Sequence, residues 1–301
     1  MSHYYQPSNR FSLGGVLLLL IAGSLAAVLL AFIYVYAVWY IPFIYINALI
    51  TVGFGVILGA VLSALVRAGK IRSPGLAGML ALAVGMVAYV VQWGVYLMLL
   101  LNITSVDRIG RRASVAHTSF DANTLLGLLL KPSLMLSTIG ELAETGSWSL
   151  FGATPSGVFL YLIWLVEAVI IIGAAVILAR SQAAKPYSET AGEWAREDVL
   201  PGTVAYVHDL SATKAALEAG DFGALSAQAS DEEPNQFAQI KLYCAPNDSE
   251  CAFLSLENIE VTIDDKGKRS NTITDVVSHL RISAQRCREL RKTNELPFIS
   301  H

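Results

Sequence analysis

Hydrophobic residues follow one another without a charge, or with only one, over four long stretches of the chain, and this pattern predicts four membrane-spanning helices. The stretches cover about residues 13–39, 44–66, 76–100 and 157–179. Each is long enough to cross the roughly 30 Å hydrocarbon layer of a bilayer as a helix. Tyr and Trp residues collect around Pro42, between the first two stretches, which indicates a tight helical hairpin with an aromatic belt.

The segment between the third and fourth stretches, residues 102–155, is predicted to be a long outer loop. Its part at 120–144 is apolar but is interrupted by Lys131 and Pro132, so each half is too short to cross a bilayer. We expect two short helices in the outer membrane interface, and a re-entrant segment is the alternative. Residues expected to cap or end these helices are Ser119 or Asp121, Ser133 and Gly146. Trp148 is expected where the chain re-enters the bilayer.

The pattern changes after Pro186, where a soluble tail begins. Phe237–Tyr243 and Ala252–Ile263 alternate between apolar and polar residues, which predicts a β-hairpin, and Val276–Ile282 suits a third strand. Short helices are expected near 209–219, 222–229 and 283–292, with a solvated linker at 230–235. We therefore predict an α-helical polytopic membrane protein, with a membrane domain at 1–185 and a small α+β soluble domain at 186–301.

Small residues recur at helical spacing within the predicted spans, and such stripes allow helix backbones to approach closely. The residues singled out for helix packing are Gly23, Ala27, Gly55, Gly59, Ala81 and Gly85. We expect these faces to support a homo-oligomer or a larger membrane complex, with the lipid bilayer around it.

Glu167 is the one ionisable residue inside the fourth stretch. It lies about ten residues from the start, which at 1.5 Å per residue is roughly 15 Å deep, near the middle of the bilayer. A charge there costs about 2.5–3.5 kcal/mol on insertion scales, so the carboxyl group needs a partner. By depth the expected partner is Gln92, with Tyr89 and Trp164 completing an intramembrane polar site. The other polar side chains available as partners are Ser63, Thr51 and Ser24. This site is either a proton or cation site or a bond that holds two helices together.

Charge sets the expected orientation. Arg67, Lys70 and Arg72 lie in one short loop without an acidic residue, and the positive-inside rule places that loop in the cytoplasm. Four spans then place both termini in the cytoplasm, and we expect a multi-pass protein of a bacterial inner membrane. The 54% hydrophobic content fits a membrane domain with a soluble tail. The chain has no basic block, so nucleic acid is not an expected partner.

Motifs of known chemistry are not apparent in the sequence, and no cofactor is expected. A Walker loop, a nucleophile elbow and a His-Glu-x-x-His motif are all absent. Cys244 and Cys251 are separated by six residues, whereas zinc knuckles use two to four, so free thiols are favoured over a metal site. His117 and Asp121 can share a helix face, and a solvated pair is favoured over a catalytic one.

Three segments resemble an uncharacterised family of bacterial four-span membrane proteins: Trp39–Asn47, Gly146–Ser149 and Trp164–Ala168. The resemblance implies the topology and a bacterial origin, and no activity. The leading hypothesis is a non-enzymatic membrane component that presents its tail to a cytosolic protein partner. The alternative is a small proton- or ion-coupled transporter or sensor that uses Glu167 and Gln92. The third hypothesis is a lipid-handling enzyme whose outer loop contacts lipid.

Overall fold

The computed structural model describes residues 3–41, 43–109, 113–146, 154–226, 235–245, 247–248, 251–265 and 267–295. The chain is mostly helical and forms two compact units. One unit is Ser8–Ala184, and the other joins Met1–Pro7 to Lys185–His301. The second unit therefore includes the first seven residues, which the sequence pattern assigns to the membrane domain.

The first unit is built around four long helices and is called the membrane unit below. Its elements are α1 (Leu13–Tyr40), α2 (Ile44–Ala68), α3 (Pro74–Leu101), β1 (Ile103–Ile109), β2 (Ala113–Thr118), α4 (Ala122–Leu130), α5 (Pro132–Thr145) and α6 (Gly157–Ala184). Within the described residues, α1, α2, α3 and α6 are long and apolar enough to cross a membrane. Their bounds lie close to the predicted stretches, because uninterrupted apolar sequence marks such helices clearly.

Small residues allow these helices to pack closely within the chain. A Cβ atom added to Gly59 of α2 would lie 2.9 Å from the carbonyl oxygen of Ala174 in α6, and Gly55 on the same face also lies against α6. Gly85 of α3 faces Ile172 of α6. The remaining small residues are equally enclosed: Gly23 lies against Leu62 and Val84, and Ala27 and Ala81 are fully buried. These faces are therefore used inside the bundle.

The loop between α3 and α6 carries more structure than its sequence suggests. Strands β1 and β2 form an antiparallel hairpin that was not predicted, and the Trp39 indole N–H donates to the carbonyl oxygen of Ala116, 2.8 Å away. Two short helices follow and meet at an angle of 101°. Asp121 caps α4, whereas α5 begins at Pro132, so Ser133 is not its cap. Gly146, with φ of 81°, ends α5 as predicted, and Trp148 lies outside the described residues.

Helices α4 and α5 each have one buried and one exposed apolar side. The buried residues belong to the same core as the four long helices and are Leu125, Leu128, Met135, Leu142 and Ala143. Leucines on the other side are exposed, namely Leu126, Leu130, Leu134 and Leu136. The bend at Lys131 therefore lets both short helices pack on the bundle, which a single straight span would not allow.

The second unit, called the soluble unit below after the sequence prediction, contains a four-stranded sheet, a two-stranded sheet and two helices. Its elements are β3 (Tyr187–Ser188), β4 (Glu193–Trp194), β5 (Arg196–Val204), α7 (Leu210–Glu218), β6 (Gln236–Cys244), β7 (Cys251–Ile263), β8 (Arg269–Ser283) and α8 (Ala284–Glu295). Strands β5-β6-β7-β8 are antiparallel neighbours in that order. A single turn of 3-10 helix, Gly223–Ser226, replaces the short helix predicted at 222–229. Of the predicted linker, residues 230–234 lie outside the described residues.

The N-terminal segment pairs with the outer edge of this sheet. The backbone N–H of Tyr5 donates to His279, and that of Arg281 donates to His3, at 2.9 and 2.8 Å. The Tyr4 hydroxyl donates to the Glu218 carboxylate of α7, 2.5 Å away. Burial, with Glu218 as a second cause, raises the pKa of Tyr4. These bonds explain why residues near the N-terminus belong to the C-terminal unit.

The contact between α2 and α6 predicts unequal effects for two glycines on α2. Gly59→Ala is expected to destabilise the bundle by about 1–3 kcal/mol, because its Cβ would meet the backbone of α6. Gly53→Ala is the matched control, because an added Cβ there meets nothing within 4 Å. Thermal unfolding of the full chain in detergent checks both variants. Equal melting temperatures for the two variants would contradict the packing described for Gly59.

Candidate functional site

Glu167 lies among polar side chains from the neighbouring helices. The Tyr34 hydroxyl oxygen on α1 is 2.5 Å from Oε1 of Glu167 on α6. The same hydroxyl is 3.0 Å from Oγ1 of Thr51 on α2, and Thr51 Oγ1 is 3.0 Å from the carbonyl oxygen of Asn47. One continuous chain of hydrogen bonds therefore joins α6 to α1 and α2.

Helix geometry explains why these residues meet. Tyr34 is six residues before α1 ends at Tyr40, and Thr51 is seven residues after α2 begins at Ile44. Both are thus roughly 10 Å from the turn between the helices, while Glu167 is roughly 15 Å from the start of α6. The long side chain of Tyr34 covers the remaining distance. The Phe54 ring stacks on it, with ring centroids 4.8 Å apart, and fixes its direction.

Tyr89 and Trp164, both predicted as members of the site, connect α3 to α6 next to this chain. The Tyr89 hydroxyl donates to the carbonyl oxygen of Trp164, 3.0 Å away. The Trp164 ring packs edge-on against Trp93 at 4.8 Å and against Tyr161 at 5.5 Å. Tyr89 therefore bonds the backbone one helical turn before Glu167.

Gln92, the partner expected from depth, does not pair with Glu167 within the described residues. Gln92 is buried on α3, while the carboxyl group of Glu167 bonds to Tyr34. Depth along the helices left several partners possible, and the rotation of each helix about its axis decides among them. Tyr34 was read as part of the aromatic belt. Tyr34 lies six residues before the end of α1, so its hydroxyl falls inside the hydrocarbon layer, and this depth could have identified it as a partner of Glu167.

The outer-loop residues considered for chemistry have separate roles. His117 Nε2 lies 2.9 Å from Oδ2 of Asp107 in an exposed pair across the β1–β2 hairpin. Asp121 instead caps α4, where it accepts the Thr124 hydroxyl and the N–H groups of Asn123 and Thr124, and these bonds, the hydroxyl's first, lower its pKa. Lys131 is the residue between α4 and α5. None of these contacts joins His117, Asp121 and Lys131 to one another.

A second polar cluster lies on the sheet face of the soluble unit that faces away from α7 and α8. Lys241 Nζ lies 2.6 Å from Oε2 of Glu257 and 3.9 Å from Oε1 of Glu197. The ring of Tyr243 packs on His279 at 4.7 Å. Burial, followed by the two carboxylates, raises the pKa of Tyr243 to about 12. Burial lowers the pKa of His279 and outweighs the opposing effect of the carboxylates.

His279 also has an unusual backbone conformation, with φ of 55°. Few residues other than glycine adopt this left-handed region. The register of β8 against β7 shifts here, because Leu280 pairs with Leu254 and Val277 with Leu256. Two residues of β8 therefore oppose Ser255 alone in a β-bulge, and Ser255 Oγ accepts the His279 N–H at 2.9 Å.

The cysteines differ from the expectation of free thiols. Cys244 at the end of β6 and Cys287 on α8 form a disulfide bond. Helix α8 follows β8 directly and crosses the sheet towards β5, where Arg291 pairs with Asp198 at 2.7 Å. Because β6 lies between β8 and β5, this path brings Cys287 next to β6. The side chain of Cys251 lies outside the described part of the structure. No group of three metal ligands occurs among the described residues.

Comparison with models of protein families, with curated proteins and with solved structures found no match to this chain. The resemblance to a bacterial four-span family therefore stays a prediction. Chemical conclusions about the chain rest on its own residues, and in the membrane unit these include the hydrogen-bonded Glu167–Tyr34–Thr51 chain.

Removal of one hydroxyl tests this chain. Tyr34→Phe keeps the ring on Phe54 and leaves the buried carboxyl group of Glu167 without its partner. We expect a loss of about 1–3 kcal/mol in the free energy of unfolding. Tyr45→Phe is the control, because Tyr45 is 75% exposed at the start of α2. Thermal unfolding in detergent measures both, and a melting temperature unchanged by Tyr34→Phe would show that the bond contributes nothing to the bundle.

Proposed function

We propose that this protein is a non-enzymatic integral membrane component that holds its soluble unit at the membrane surface for a protein partner. The observation that carries the proposal is an apolar stripe on the β7–β8 hairpin, formed by Ile259, Val261, Ile263 and Ile273. The first three alternate along β7, so they share one face, and Ile273 pairs with Ile259 across the hairpin. Ile259 is buried at the inner end of the stripe, whereas Ile263 and Ile273 are 53% and 57% exposed.

The position of this stripe supports a protein partner. Strand β6 pairs with β7 only as far as Glu260, so the end of the hairpin continues beyond the third strand. Charged residues surround the exposed isoleucines, including Asp264, Lys268 and Arg269. Apolar side chains within a charged rim are typical of protein interfaces. The soluble unit also has its own hydrophobic core, which keeps the hairpin in place without a partner.

The membrane unit serves as the anchor in this proposal. The glycines and alanines expected to drive self-assembly are occupied by contacts inside the bundle, so assembly is assigned to the soluble unit instead. Large apolar side chains on the outside of α1, α2 and α6 suit contact with lipid. The exposed leucines of α4 and α5 suit the outer membrane interface, where amphipathic helices lie.

A cytoplasmic position of the soluble unit in a bacterial inner membrane is part of the proposal. Arg67, Lys70 and Arg72 follow α2, and the positive-inside rule favours the cytoplasm for their loop. The bridge between Tyr4 and Leu280 supports an even number of crossings, because an odd number would separate these residues by the bilayer. The Cys244–Cys287 disulfide weighs in the other direction, since disulfides persist mainly in oxidising compartments.

If the apolar stripe binds a protein partner, one polar substitution within the stripe should abolish that binding. We expect Ile273→Ser to abolish co-purification of a protein that the unaltered full chain retains from membranes. Leu210→Ser is the matched control, because Leu210 is an exposed apolar residue at the start of α7. Mass spectrometry of the purified complexes identifies the protein. The proposal fails if both variants retain the same proteins, or if both lose them.

Labelling of single introduced cysteines tests the orientation. A cysteine at position 70 is expected to resist a membrane-impermeant reagent in intact cells and to react after the membrane is opened. A cysteine at position 130, at the exposed end of α4, is expected to react in intact cells. The reverse pattern would place the soluble unit outside the cytoplasm, in agreement with a lasting disulfide.

A further inference from the structure

We propose that Glu167, Tyr34 and Thr51 form a proton-binding site in which the carboxyl group of Glu167 is neutral. The inference rests on the number of hydrogens that the contacts require. It goes beyond the proposed function, because it assigns a ligand, a proton, to the membrane unit. It does not depend on the partner of the soluble unit.

The hydrogens can be assigned from one end of the chain. The carbonyl oxygen of Asn47 can only accept, so the hydrogen between it and Thr51 belongs to the Thr51 hydroxyl. Thr51 has then used its one hydrogen, and in its contact with Tyr34 it accepts the Tyr34 hydrogen. Tyr34 has in turn used its hydrogen. For all three contacts to be hydrogen bonds, the third hydrogen, between Tyr34 and Glu167, comes from the carboxyl group, whereas an ionised carboxylate would accept from the Tyr34 hydroxyl.

An ionised Glu167 cannot satisfy the same three contacts. Tyr34 and Thr51 supply only two hydrogens, so one contact would bring two oxygen atoms together without a hydrogen between them. Loss of the proton leaves two hydrogens for three contacts. The Tyr34 hydroxyl then donates to Glu167, and the Thr51 hydrogen serves either Tyr34 on α1 or Asn47 within α2. Binding of a proton is thus coupled to the direction of the hydrogen bonds at this contact of α6, α1 and α2.

The surroundings agree with a neutral carboxyl group. Ionisable groups near Glu167 along the helices are Tyr34 on α1, Tyr89 on α3 and Tyr161 on α6, and α5 carries the exposed Glu141 and Glu144. Arg67 on α2 and Arg180 on α6 lie roughly 20 Å or more along their helices from Thr51 and Glu167. The part of α2 next to the site contributes Thr51 and Phe54, which carry no charge. None of these nearby groups supplies a positive charge to pair with a carboxylate, and an unpaired charge is costly within the hydrocarbon layer.

Infrared difference spectroscopy of the full chain in lipid nanodiscs at neutral pH tests the proposal. The spectrum of the unaltered chain minus that of Glu167→Gln is expected to contain the carbonyl stretch of a neutral carboxylic acid, and this band should shift in D2O. A difference spectrum that instead contains only carboxylate bands would overturn the proposal.

Two further variants retain the carboxyl group and test the direction of the chain. Thr51→Val removes the acceptor of the Tyr34 hydrogen and is expected to shift the carboxylic acid band, as is Tyr34→Phe. Ser63→Ala is the control, because its hydroxyl donates to the carbonyl oxygen of Leu178 in the same α2–α6 contact and does not touch Glu167. If neither Thr51→Val nor Tyr34→Phe moves the band, the chain of donors is wrong. These two variants decide the question even if Glu167→Gln does not fold.

Discussion

Polar groups within a hydrocarbon layer have no water to bond to, and in this bundle they are joined to α6. Tyr34 of α1 bonds to the Glu167 carboxyl group, Ser63 of α2 to the carbonyl oxygen of Leu178, and Tyr89 of α3 to that of Trp164. Each of the other three long helices thus contributes one polar contact to the same helix. The glycines of α2 and α3 add close backbone approach to α6. An apolar helix without such bonds is free to rotate about its axis, so these contacts define the arrangement of the bundle.

Elements stabilised by contacts between residues close in sequence could be predicted, whereas contacts between distant parts of the chain could not. The long helices and the β6–β7 hairpin follow from local hydrophobic periodicity. Strand β5 was not predicted, since residues 188–200 are mostly polar, and Pro201 and Gly202 lie at an irregularity in its pairing at the edge of the sheet. The pairing of Tyr4 with Leu280 joins opposite ends of the chain, and no local pattern encodes it. Gln92 was chosen over Tyr34 for a related reason, since depth is local while helix rotation is set by the whole bundle.

The pairing of the N-terminal segment and the bend at Lys131 both bear on how many times the chain crosses the membrane. Residues near the N-terminus pair with β8, which supports an even number of crossings. Helices α4 and α5 have 9 and 14 residues and are bent by 101° against each other, so each is too short to span a bilayer alone. Both observations favour four crossings over five. In the sequence, a single residue separates Ala184 at the end of α6 from Pro186.

A lone carboxyl group in a membrane helix is usually read either as a bond between helices or as a functional site, and here the two readings describe the same atoms. The contacts of Tyr34 with Glu167 and Thr51 join α1, α2 and α6, and together with the Thr51–Asn47 bond within α2 they call for three hydrogens. If Glu167 supplies the third, the proton is itself part of the packing. A change in its occupancy must then reverse the donor in the contact between α6 and α1. The position of one hydrogen atom therefore decides whether the bundle is a passive anchor or one whose internal contacts respond to protons.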